Sequence, residues 1–199
     1  MTIVFELWPT LAFAVMMLSW IAFVIAFLVG KKPSSNSPDR KRDRSSIVGI
    51  VLQGLSYGVC WSIRRQWFTP IFAGRETVNI GLSILSMLVA VASVWFSAAA
   101  IRTLGQQWSL AARVLEGHKL VTQGPYSVVR NPIYTGMLGM LLATGLAVSH
   151  WLGLVIAIVV FAIGTVIRVR SEEKLLREMF GGEFDEYAST VPAVIPYLI

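Results

Sequence analysis

Residues 133–167 read IYTGMLGMLLATGLAVSHWLGLVIAIVVFAIGTVI. Two uncharged apolar runs, Ile133 to Val148 and Trp151 to Ile167, are separated only by Ser149 and His150. Each approaches the length that crosses a hydrocarbon core of about 30 Å. The stretch therefore predicts a tight helical hairpin in a membrane. Toward the N-terminus, Ile80 to Ile101 and Leu7 to Val29 are again free of charge. Ile47 to Ile63 is a weaker run, interrupted by Gln53, Gly54, Ser56 and Gly58. Five runs predict an all-α membrane protein of about five transmembrane helices, with the C-terminal hairpin, a polar loop before it and a short amphipathic tail helix after it. The composition agrees: 55% of the 199 residues are hydrophobic and 14% charged, whereas soluble domains are nearer a quarter charged. Mean hydropathy is +0.67.

The first run is preceded by Glu6 and ends at Lys31-Lys32 with no small-residue cleavage pattern. This predicts a retained helix rather than a signal peptide. The net charge of +6 raises the question of nucleic acid, and its distribution answers it. With the N-terminus outside and five crossings, fourteen of the 17 basic residues fall on inner segments: Lys31, Lys32, Arg40, Lys41, Arg42 and Arg44; Arg102, Arg113, Lys119 and Arg130; Arg168, Arg170, Lys174 and Arg177. Arg64, Arg65 and Arg75 remain outside. That asymmetry is the positive-inside pattern, so the basic excess needs no nucleic acid. It places the C-terminus in the cytoplasm. The single cysteine, Cys60, excludes an intramolecular disulfide and a multi-cysteine metal site, and reads as a packing residue.

A division falls near Ile101. Residues 1–101 carry three helices almost without ionisable groups and read as scaffold, whereas residues 102–199 concentrate the polar chemistry. Lys31 to Ser46 forms a polar basic linker. No internal repeat supports an inverted-repeat transporter. In the polar segment, Gly117 and Gly124-Pro125 predict short turns. Asn131 is an N-cap candidate, and Pro132 suits the first turn of a helix, where its missing N–H costs nothing. A helix N-terminus at a membrane boundary presents free N–H groups to a ligand, and Tyr126, Asn131 and Tyr134 are spaced to converge there. In the tail, Arg168 and Glu172 share a helix face four residues apart, with Glu173 on the neighbouring face. Leu175, Leu176, Met179 and Phe180 supply an apolar stripe, and Gly181-Gly182 ends the helix. Taken alone these charges read as an ordinary surface salt bridge. At the emerging end of a membrane helix they become site candidates.

The string HKLVTQGPYSVVRNPIYTG, followed by RVRSEE and FGGEFDEYASTVPAVIP, resembles the isoprenylcysteine carboxyl methyltransferase family in its prokaryotic form. It resembles the phospholipid N-methyltransferases more distantly. The likeness runs from His118 to Pro196. It implies an integral, multi-pass protein of a bacterial inner membrane that uses S-adenosyl-L-methionine and releases S-adenosyl-L-homocysteine. Carried over by position, His118, Lys119, Leu120 and Val121 line the cofactor through backbone groups. Tyr126, Asn131, Pro132, Ile133 and Tyr134 complete that pocket, with Arg113 as a looser addition. Glu172 matches the cofactor-binding glutamate and Arg168 an arginine assigned to the substrate, with Glu173 a spare carboxylate beside them. The family usually has histidine where this chain has Asn131, and asparagine cannot titrate near neutral pH. The resemblance therefore implies a binding role at Asn131 and not one that needs an imidazole proton.

Methyl transfer from a sulfonium asks the protein mainly for positioning and electrostatics. A carboxylate such as Glu172 can hold the cofactor's ammonium, and a guanidinium such as Arg168 can clamp an acceptor carboxylate. The expected partners are the bilayer and a lipophilic or lipidated acceptor. An amine on a phospholipid head or a thiol is an alternative acceptor within the same superfamily, and a reductase using NADPH is a related-fold alternative. A non-enzymatic scaffold or small transporter is the reading from another class, though the first three helices hold no ionisable pathway.

Overall fold

Large apolar side chains cover the outside of this molecule, and small or polar ones line its helix contacts. In the helix Glu76–Leu104, Leu88 and Trp95 are exposed while Ser83, Ser86, Ala90, Ser93, Ser97 and Ala100 are buried at alternating steps of three and four residues. A bilayer dictates this arrangement, because lipid is as apolar as leucine and helix association depends on close packing and hydrogen bonds. The computed structural model describes residues 6–30, 39–42, 45–108, 113–115 and 119–196, with backbone only at 39–42 and 113–115.

Six α-helices are described: α1 (Leu7–Val29), α2 (Ser45–Ser62), α3 (Glu76–Leu104), α4 (Pro132–Val148), α5 (Trp151–Phe180) and α6 (Gly182–Thr190). Four of them, α1, α2, α3 and α5, are long and apolar enough to cross a membrane. The expected fifth crossing, α4, is a shorter apolar helix of 17 residues, and none of its residues is fully exposed. It is the inner helix, flanked by an α1–α3 pair on one side and an α2–α5 pair on the other. α5 has 30 residues, about 45 Å at the helical rise of 1.5 Å per residue. It thus carries the charged sequence beyond its apolar run, as the Arg168–Glu172 spacing anticipated. The all-α expectation needs one addition. A short antiparallel ribbon pairs β1 (Asp39–Arg42) with β2 (Arg113–Leu115), tying the segment after α1 to the segment after α3. Strands this short leave too little alternation to be read from sequence.

Three clusters hold α4 in place. Phe23, Ala90, Met140 and Ala143 join it to α1 and α3. Cys60, Leu141, Ala157 and Phe161 join it to α2 and α5, so Cys60 is a packing residue. Met16, Ala147 and Val148 close the far end beneath Trp61 and Trp67. Polar ties cross the same interfaces: Trp20 Nε1 donates to Thr144 Oγ1 at 3.0 Å, Tyr57 Oη to the Met137 carbonyl at 2.7 Å, and Ser86 Oγ to the Ala143 carbonyl at 2.9 Å. At the hairpin turn, Arg65 donates to the carbonyls of Leu146, Ala147 and Ser149 at 3.1, 2.9 and 2.6 Å. A cation here satisfies the free carbonyls and the negative end of α4.

Gly136 sets how closely α3 and α4 approach. A Cβ there would lie 1.9 Å from Ser97 Oγ and 2.9 Å from the Ser93 carbonyl oxygen, whereas one at Gly58 would meet nothing within 4 Å. Gly136→Val is therefore expected to lower stability by about 3 kcal/mol through overpacking against backbone. Gly58→Val should leave it nearly unchanged. Thermal unfolding in detergent, followed by tryptophan fluorescence, measures both.

Candidate functional site at the α4–α5 end

Pro132 opens α4, with Asn131 at the N-cap position. The expected side-chain cap is not made. Asn131 Nδ2 instead donates to the Ala193 carbonyl at 3.0 Å, and Asn131 N donates to the same oxygen at 2.9 Å. The asparagine side chain thus uses its amide nitrogen to hold the returning C-terminal segment, and its oxygen caps no N–H of the first turn. Two residues into α4, the buried Tyr134 points its hydroxyl at Glu172 Oε1 and donates to it. The Arg168 guanidinium lies over the Tyr134 ring, 4.7 Å from its centroid. Arg168 Nη2 reaches the same Glu172 oxygen at 3.4 Å, and Nη1 donates to Gln53 Oε1 on α2 at 3.1 Å.

The Arg168–Glu172 pair is thus not the ordinary surface bridge that its spacing alone suggests. Arg168 is only 4% exposed, and a buried guanidinium is tolerable because a carboxylate, an amide oxygen and an aromatic face surround it. Glycines make room for it. A Cβ on Gly49 would lie 2.4 Å from Arg168 Cγ and 2.6 Å from the Gly164 carbonyl, so α2 and α5 cross in backbone contact at this level.

Glu173 faces elsewhere. It accepts from Arg130 Nε at 2.9 Å, while Arg130 Nη1 donates to the carbonyls of Ala188, at 2.8 Å, and Val191. Two further bonds join in, Arg130 N donating to the Pro192 carbonyl at 2.8 Å and the Thr135 hydroxyl to the Val194 carbonyl at 2.5 Å. Arg130 and the start of α4 therefore clasp the segment that follows α6. Tyr187 of α6 adds a bond from its hydroxyl to the Tyr126 carbonyl at 2.6 Å.

Tyr126 sits in the 3₁₀ turn Gly124–Ser127, which Gly124 enters with a φ of 61°, a conformation that favours glycine. Burial foremost, then the Glu172 charge and Tyr187, hold the Tyr126 phenol well above its usual range. The Tyr187 phenol is pushed up to about 12, chiefly by burial, against the opposing Arg130 charge. Both remain neutral donors at physiological pH. Ile133 is half-buried in the first turn of α4, and Leu120 and Val121 are half-buried on the approach to the 3₁₀ turn. Lys119 N donates to Gln107 Oε1 at 2.5 Å, not to the Arg168–Glu172 pair. Arg113 lies in β2, and His118 falls outside the described residues.

The structure thus gathers Tyr126, Asn131, Tyr134, Arg168 and Glu172 at one end of the bundle. It also brings in Gln53, Arg130 and Tyr187, which the motifs did not single out. Gln53 left one trace in the sequence, as an amide inside an apolar run. Arg130 stood directly before Asn131-Pro132 but counted only toward topology.

This architecture defines a multi-pass helical membrane protein with one buried polar cluster at the end where α4 begins and α5 leaves the bundle. The family model described as phospholipid methyltransferase matches residues 82–183, and the chain belongs to that family. Among its relatives, protein-S-isoprenylcysteine O-methyltransferase B of Arabidopsis thaliana is 33% identical over 101 residues, covering 50% of this chain and 51% of that protein. A probable protein-S-isoprenylcysteine O-methyltransferase of Oryza sativa subsp. indica is 28% identical over 138 residues, covering 68% and 65%. The nickel-cobalt-cadmium resistance protein NccN of Alcaligenes xylosoxydans xylosoxydans is 34% identical over 148 residues, covering 64% and 68%. The chain spans between half and two thirds of the length of the two plant relatives.

Proposed function

We propose that this protein is an integral-membrane methyltransferase that binds S-adenosylmethionine, releases S-adenosylhomocysteine and methylates a carboxylate on a lipophilic acceptor. The arrangement of Glu172 carries the reading. Both of its described hydrogen bonds, from Tyr134 and Arg168, end on Oε1, and the side chain is still 28% exposed. The carboxylate is thus held by one oxygen and offers the other to a ligand, beside the start of α4. One carboxylate beside neutral phenols fits a cofactor bearing an ammonium, a sulfonium and ribose hydroxyls.

In this reading Glu172 holds the cofactor's ammonium. His118, Lys119, Leu120 and Val121 contribute backbone groups. Tyr126, Asn131, Pro132, Ile133 and Tyr134 form the wall, with Arg113 beyond them. Bound S-adenosylmethionine supplies a methyl carbon activated by the sulfonium charge. An acceptor that is already a carboxylate has no proton to lose, so Arg168 need only hold it in line, and its long 3.4 Å bond to Glu172 is the one that gives way. Glu173, committed to Arg130, acts indirectly by holding the C-terminal clasp. Residues 102–199 supply the chemistry and residues 1–101 the scaffold, with Gln53 the contribution from the first part. The distribution of Lys and Arg supports an N-terminus outside, a cytoplasmic C-terminus and a cofactor arriving from the cytoplasm.

Isothermal titration in detergent is expected to show binding of both S-adenosylmethionine and S-adenosylhomocysteine, and none of NADPH. Binding of neither would overturn the reading. Incubation of membranes with labelled methyl donor and native lipid extract, followed by mass spectrometry, then identifies the acceptor. A methylated phospholipid amine would replace the carboxylate assignment, and equal turnover of short water-soluble and lipid-chained acceptors would remove the lipophilic one.

A further inference from the structure

We infer that Gln53, on a helix outside the motif-bearing half, is a positioning residue that sets the orientation of the Arg168 guanidinium. The inference rests on the methyl-transfer reading above and deepens it by adding a determinant of acceptor binding. Gln53 is 1% exposed in the middle of α2, where an amide without partners would be strongly unfavourable. Its partners are specific. Oε1 accepts from Arg168 Nη1 at 3.1 Å, and Nε2 donates to Thr165 Oγ1 at 2.9 Å.

The chemistry of the three groups allows one orientation only. A guanidinium has donors and no acceptor, so the amide oxygen must face Arg168. The amide nitrogen must then face Thr165, whose hydroxyl can accept. Rotating the amide by half a turn would set N–H against N–H. Thr165 therefore locks Gln53, and Gln53 locks one arm of Arg168. The other arm is bound to Glu172, and the guanidinium rests over the Tyr134 ring. Carboxylate recognition by arginine depends on presenting two N–H groups along a defined edge, so a guanidinium free to swivel binds the same anion less well.

Packing does not account for the amide. Gly49 and Gly164 already bring α2 and α5 together at this level, the glycine backbones and Arg168 Cγ in direct contact. A leucine at position 53 has nearly the same volume and would suit an apolar helix contact. What it cannot do is accept from Arg168 or donate to Thr165.

Kinetics with an S-prenylated N-acetylcysteine as the carboxylate probe test the inference. Gln53→Leu is expected to raise the acceptor KM about tenfold, as loss of one charge-assisted bond does. The affinity for S-adenosylmethionine should stay within about twofold, since Glu172 keeps its Tyr134 bond. Thr165→Val, which is nearly isosteric, should raise the acceptor KM by about threefold by unlocking the amide. The double variant should be no worse than Gln53→Leu alone, because both act through one group. If Gln53→Leu does not fold, Thr165→Val carries the test by itself. An unchanged acceptor KM in either folded variant overturns the inference, as does an equal loss of cofactor affinity. Failure of the unaltered protein to bind S-adenosylmethionine or to turn over the probe would instead count against the proposed function.

Discussion

Arg130→Ala is expected to destabilise the protein by about 3 kcal/mol, near the lower end for breaking a largely buried ion pair. Arg130 and Glu173 are 13% and 16% exposed, so water offers each only limited compensation. The same side chain also satisfies the carbonyls of Ala188 and Val191. Removing it leaves a carboxylate without its cation and loosens the return of the chain past Asn131 and Thr135. Thermal unfolding in detergent should show the loss. Limited proteolysis should cut first between α6 and residue 196, before any of the spanning helices. Arg130→Lys should recover only part of the stability, because an ammonium cannot spread over a carboxylate and two carbonyls as a planar fork does. An Arg130→Ala protein as stable and as resistant as its parent would show that the clasp contributes nothing.

Glu172→Gln should weaken binding of S-adenosylmethionine by about 10- to 100-fold, the range for a hydrogen bond to a charged group. Glutamine retains an oxygen for the Tyr134 hydroxyl and for Arg168, so the fold is kept while the charge that would hold the ammonium is lost. Alanine at this position is a poorer probe, since it also strands Arg168 without its counter-charge in a buried setting. Arg168→Ala should behave differently, raising the acceptor KM with a much smaller change in cofactor affinity. Titration calorimetry for the cofactor and initial rates for the acceptor separate the two effects. Equal losses of both affinities in both variants would mean that the pair acts only as a structural unit.

The runs of apolar sequence located the helices well because lipid exposure leaves an uninterrupted signature. α1 coincides with its run, and α4 and α5 begin where Pro132 and Trp151 indicate. The position of α4 inside the bundle was not legible. Its residues are as apolar as those of α5, and nothing in a hydropathy pattern distinguishes contact with lipid from contact with other helices. The spacing of Gly136, Gly139 and Gly145 is intelligible only once Ser93, Ser97 and Leu154 are seen against them.

At the site, the spacing of Arg168 and Glu172 placed both on one face of α5, and the Asn-Pro signal placed the start of α4. Local rules could carry the sequence that far, since they concern residues within a turn or two of one another. They were silent on what faces that pair. Glu172 and Glu173 are adjacent and chemically alike, yet one meets Tyr134 and Arg168 while the other meets Arg130. That difference arises from about 100° of helical rotation per residue combined with where α4 and the C-terminal segment lie. The bond from the Asn131 amide to the Ala193 carbonyl was illegible for the same reason.

The sequence by itself determined that this chain is a bundle of membrane helices with its polar chemistry at one end, because helix length, hydropathy and charge placement are properties of contiguous residues. Only the tertiary structure decided that Arg168 is buried rather than solvated, that Gln53 from the first half is one of its partners, and that Glu173 serves the clasp. Those outcomes depend on contacts between residues 43 to 115 positions apart, and such contacts are written in packing geometry, not in local pattern.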